Sequence, residues 1–105
     1  MRRAYILLAG LLAMASTGSQ AQEIGQPGRG LALAKRLCAE CHAVQKEDGQ
    51  SPNADAPHFQ LIAIVPGMTP LALSATLNTS HRAMPNILLD ATEQADIIAY
   101  IMSLK

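Results

Sequence analysis

The 105-residue chain has no tryptophan, a single phenylalanine and two tyrosines, so aromatic side chains cannot supply the bulk of a core. Cysteine is almost as scarce, with only Cys38 and Cys41. Neither sign of charge dominates, at eight basic against eight acidic residues, and no basic patch or aromatic-interleaved stripe points to nucleic acid. Past residue 21 no apolar stretch has the length of a membrane-spanning helix.

What is present begins at the N-terminus. Arg2 and Arg3 precede an apolar run from Ala4 to Ala15, followed by small and polar residues ending in Ser19, Gln20 and Ala21. This is the pattern of a cleavable secretory signal, with Ser19 and Ala21 at the −3 and −1 positions and cleavage before Gln22. The alternative is an uncleaved anchor, against which the shortness of the run argues. Residues 1–21 are thus expected to be a signal peptide, residues 22–105 one small domain, and the compartment the periplasm. Without the leader the count is six basic against eight acidic residues, a net charge of −2.

Cys38, Ala39, Glu40, Cys41 and His42 form a Cys-x-x-Cys-His run, the pattern of a c-type haem attachment site. Positions three and four apart share a face on a helical turn, so the two thiols and the imidazole can address one flat group. Cys38 and Cys41 would take the vinyl groups, and His42 would give iron its proximal nitrogen. Three other readings fit less of the run. A disulfide needs no histidine, a thioredoxin-like pair should follow a strand, and zinc would need two more ligands where only His58 and His81 remain, far apart. A haem would also mend the shortage of large apolar side chains, since 84 residues bury proportionally little surface by themselves. The chain without cofactor is therefore expected to fold poorly.

Helical periodicity predicts three or four helices separated by Pro- and Gly-rich loops, an all-α fold without internal repeats. Gln22 to Gly28 reads as a loose leader, and a first helix from about Arg29 or Gly30 carries Leu31, Leu33, Ala34 and Leu37 into the cysteine motif. Turn formers make residues 46–57 a surface loop. A short helix over residues 59–65 stops at Pro66-Gly67, and Thr69 caps another that opens on Pro70 and buries Leu73 and Leu77. After an extended loop over residues 79–89, Asp90 and Glu93 form a capping box for the last helix, whose buried stripe is Ile97, Ile98, Ile101 and Leu104. Tyr100 is placed to meet the first helix at Gly30, whose missing side chain permits close approach.

Together the approach from Gly30 to Cys38, the Cys38 to His42 motif, the His-x-x-Met-Pro segment from His81 to Pro85 and the terminal Asp96-Ile97-Ile98-Ala99-Tyr100-Ile101 resemble the class I c-type cytochromes, in particular small bacterial periplasmic ones, over nearly the whole mature region. The resemblance implies a small cytochrome c fold wrapped around one covalently bound haem c. It implies Met84 as the distal iron ligand and a proline carbonyl behind the proximal imidazole, with Pro57 matching better than Pro52. One departure is Ala34, where the family often has an aromatic residue; Leu33, Leu37 and Tyr100 are then expected to fill the space.

The residues by themselves leave several distal candidates. Met68 precedes a helix start, Met102 sits on the last helix, and His81 lies three residues from Met84; a loop-borne methionine fixed by Pro85 is better placed than the other two to reach across to iron. His58 reads as a simple loop residue near the proximal side. Leu61, Ile64, Leu73, Leu77 and Leu88 are expected to form an apolar shell. With both iron positions filled, the reading is single-electron transfer between redox protein partners, without enzymatic activity, by a monomer or a subunit of a dehydrogenase or oxidase complex. The alternative is a peroxidase or sensor with an open distal position.

Overall fold

The computed structural model describes residues 24–79 and 83–105; the expected signal peptide, His81 and Arg82 lie outside them. It is all-α, with no strand among the described residues. The helices are α1 (Pro27–Leu37), α2 (Phe59–Ala63), α3 (Pro70–Leu77) and α4 (Ala91–Met102).

Pro27 occupies the first turn of α1, where its missing N–H is no loss, so the helix starts two or three residues earlier than its apolar spacing predicts. The segment before it is not loose. The Gln26 N–H donates to Asp96 Oδ1 at 2.7 Å, and a Cβ on Gly25 would stand 1.8 Å from the Ala95 carbonyl oxygen, so residues 25 and 26 lie directly along α4. α1 buries Gly30, Leu33 and Ala34, the i, i+3, i+4 stripe. Gly30 is the point of closest approach, since a Cβ there would meet the Asp96 carbonyl oxygen at 2.0 Å and Tyr100 Cβ at 2.7 Å.

α4 starts at the expected capping box. Asp90 accepts the Glu93 N–H at 2.8 Å, and the Glu93 carboxylate accepts the Asp90 N–H at 3.0 Å. Its inner face carries Ile97, Ile98, Tyr100 and Ile101, with Leu104 just beyond the helix. Asp96 is buried among them and compensated: Arg29 donates to Oδ2 at 2.8 Å and to Oδ1 at 3.2 Å. Thr69 caps α3 through the Ala72 N–H at 3.1 Å, and α3 buries Leu73 fully and Leu77 partly against α4.

Two packing expectations need correction. Leu37 is 38% exposed because α1 ends there and the chain turns away, so Leu33 and Tyr100 cover the fully buried Ala34 without it. α2 stops at Ala63, not Val65, and a helix this short buries only Phe59 and Ala63, its i, i+4 pair. Leu61 and Ile64 project from its other sides and are 59% and 54% exposed.

Candidate haem site

α1 delivers the cysteine motif into a single turn. The Cys38 carbonyl accepts N–H groups from both Cys41, at 3.1 Å, and His42, at 2.9 Å, which holds the two thiols and the imidazole at helical three- and four-residue spacing after the helix has ended. Both cysteines are partly exposed free thiols. Burial pushes the Cys38 thiol up to about 11, the reverse of the depressed value that a catalytic or redox-active thiol needs.

His42 is oriented from behind. Its Nδ1 stands 2.7 Å from the Pro57 carbonyl oxygen. A carbonyl only accepts, so Nδ1 donates its proton here and Nε2 is the ring atom left for a metal to use. The buried Phe59 ring leans on the imidazole, with centroids 5.2 Å apart and planes at 54°.

The loop that brings Pro57 into place is closed by side chains bonding to backbone. Ser51 Oγ accepts the Ala43 N–H at 2.9 Å, and Asp48 Oδ2 accepts those of Val44 and Gln45 at 3.1 and 2.9 Å. These N–H groups hold the Asp48 carboxyl below the usual carboxylate range. The buried Tyr100 hydroxyl donates to the Val44 carbonyl at 2.6 Å and ties the loop to α4.

Met84 and Cys38 line one cavity of about 290 Å³, together with Leu77 and Ile97 and with the polar side chains of Asn78, Asn86 and Gln94; His42 does not line it. Met68 and Met102 instead pack against the protein core. Of the expected shell, Leu77 lines this cavity, Leu88 touches it while 95% exposed, Leu73 lies in the core, and Leu61 and Ile64 do neither. Ala83, immediately before Met84, has a φ of 63°, the left-handed region that a non-glycine residue seldom adopts. Among the described residues no cluster of three His, Cys, Asp or Glu side chains forms another metal site.

A scan against protein-family models returned no match, and neither did a search of solved structures. Among curated proteins, the chain is 42% identical over 96 residues to cytochrome c-552 of Bradyrhizobium diazoefficiens, a match that spans 90% of this chain and 89% of that one. The chain belongs to the c-type cytochromes. The cytochrome carries covalently bound haem c, and its residues fit that group: two thiols and an imidazole bonded through Nδ1 on one turn, with Cys38 also lining a cavity of mixed polar and apolar walls that a thioether enters.

Sequence reasoning placed His58 near the proximal side but as a simple loop residue, and the structure gives it two bonds. It caps α2 and bonds back to the Asp48 carbonyl, and its one sequence signal was a position just ahead of a short apolar helix.

Proposed function

We propose that the protein is a periplasmic single-electron carrier in which Cys38 and Cys41 hold the haem, His42 and Met84 ligate its iron, and residues 1–21 direct export. The observation that carries this reading is the His42–Pro57 hydrogen bond, which leaves Nε2 as the free donor and fixes the ring's plane. Bound haem c supplies a one-electron iron couple. The chain's part is to keep both coordination positions filled and water out. A neutral thioether from Met84, with Leu77 and Ile97 beside it, favours the ferrous state and a comparatively high potential. Its partners are redox proteins met through small, transient interfaces or within one complex.

Absorption spectroscopy of the exported holoprotein tests the reading. A reduced c-type spectrum, a weak far-red Met-to-iron band when oxidised and indifference to carbon monoxide are expected. Ready carbon monoxide binding by the native protein would establish an open iron and a sensor or enzyme instead. Met84→Ala should leave haem attached, lower the potential by at least about 0.1 V within the ~0.8 V that axial ligands command, and open iron to cyanide. An unchanged potential refutes Met84 as ligand. Cys38→Ala should sharply reduce covalent attachment, and normal holoprotein yield would contradict its role.

A further inference from the structure

We propose that His58 is a positioning residue for the proximal ligand: bonded at both ring nitrogens, it fixes the Pro57 carbonyl against His42 and so sets how strongly the His42 imidazole donates to iron. The inference rests on His42 as the iron ligand.

The two histidines hold opposite tautomers. Gln60 N–H lies 3.1 Å from His58 Nδ1, and since a backbone N–H only donates, that nitrogen is bare. The proton of the neutral ring is then on Nε2, which faces the Asp48 carbonyl oxygen at 3.2 Å. His58 thus does two jobs with one ring, capping α2 and strapping its N-terminus to the turn that follows the haem motif.

The strap acts where it matters to His42. Three consecutive residues reach back to that turn: the Pro57 carbonyl accepts from His42 Nδ1, His58 Nε2–H donates to Asp48, and the Phe59 N–H donates to the Ala43 carbonyl at 2.9 Å. The far end of the strap is itself anchored, because the Asp48 carboxylate holds Val44 and Gln45. With His58 gone, Pro57 would be held on its far side only by the Phe59 N–H, and on its near side by the Ala56 N–H to the Asn53 carbonyl at 3.0 Å and the Asn53 N–H to the Cys41 carbonyl at 3.1 Å, so the carbonyl would lose one of its two tethers beyond residue 57. A looser Nδ1–H···O bond makes the imidazole a poorer electron donor, which destabilises the ferric state and raises the potential.

Two variants separate the strap from the cap. His58→Ala removes both. His58→Asn restores a favoured N-cap acceptor, but its side chain is too short to serve Gln60 and Asp48 together. In wild-type holoprotein, NMR should first show haem-shifted His42 ring resonances; their absence would sink the assignment of His42 as ligand, whatever His58 does. Given them, both variants are expected to exchange the His42 Nδ1 proton about fivefold faster, as loss of one modest interaction implies, and to show a raised potential. If His58→Asn matches wild type in both readouts, His58 is only a helix cap and the proposal falls. Should His58→Ala fail to accumulate as holoprotein, His58→Asn decides alone by the same two readouts.

Discussion

Where α1 crosses α4, backbone meets backbone. Gly30 and Gly25 press on the carbonyls of Asp96 and Ala95, Ile97 and Ile101 fill the space around them, and one buried carboxylate ties the start of α1 down. Behind His42 little is packed in that sense. Residues 43–60 are held by side chains of Ser51, Asp48 and His58 bonded to backbone groups, with Phe59 and Val44 their main apolar anchors. The crossing resists being opened because surfaces match, whereas the loop resists because its polar groups are matched one to one. Steric intrusion should therefore damage the first and loss of single partners the second. Tyr100 belongs to both, lying in the crossing and donating to the loop.

The largest effect is expected from Gly30→Val. Its side chain would have to occupy space already taken by the Asp96 backbone, so α1 must shift off α4. Overpacking against backbone should cost at least about 3 kcal/mol, read from the denaturant midpoint of the holoprotein. A loss below about 1 kcal/mol would mean that the helices separate easily and that the contrast drawn above is wrong.

Tyr100→Phe cuts the link and nothing else. It leaves the Val44 carbonyl without a buried donor, for about 1–3 kcal/mol. Amide exchange should quicken over residues 43–60 more than along α4; equal acceleration in both would mean that the two regions open as one unit. Burial, with Glu47 and Asp48 nearby, raises the phenol above its ordinary pKa.

The smallest effect is expected from acid, and it falls on both regions. The Arg29 guanidinium and then the Gln26 N–H hold Asp96 below the ordinary carboxylate range, and backbone N–H groups do the same for Asp48. Each contribution is present above the unfolded carboxylate's pKa of about 4 and is lost as pH falls through the lower folded value. Asp96→Asn should flatten the acid limb of the stability curve and leave the part due to Asp48, while the double variant with Asp48→Asn should flatten it further. An acid limb unchanged by Asp96→Asn would remove that residue from the account of the crossing.

The crossing was the more legible region in the sequence. Its stripe of Ile97, Ile98, Ile101 and Leu104 is periodic, its cap is a local pattern, and Gly30 opposite Tyr100 follows from size alone. Pro57 and Met84 were singled out through likeness to a family, and the structure puts one on His42 and the other in the cavity beside Cys38. The loop could not be read that way. Its bonds join residues two to fifteen positions apart with no period, and a histidine's role depends on which nitrogen finds which partner. The errors share a cause: Leu37, Leu61 and Ile64 were judged by apolar character, but helices that stop at Leu37 and Ala63 have too little length to bury them. Asp96 was quoted only as part of a terminal motif, and nothing local reveals a partner 67 residues away.

That separation has a kinetic side. Arg29 reaches Asp96 across 67 residues and the Tyr100 hydroxyl reaches Val44 across 56, so the crossing is closed by pairs far apart along the chain. The contacts that shut the molecule join α1 and the turn after the haem motif to α4. Pairings of such sequence separation carry the largest loop-closure cost, so the helix crossing is expected to be the slow step of folding, while the single turn that presents Cys38, Cys41 and His42 needs only local contacts.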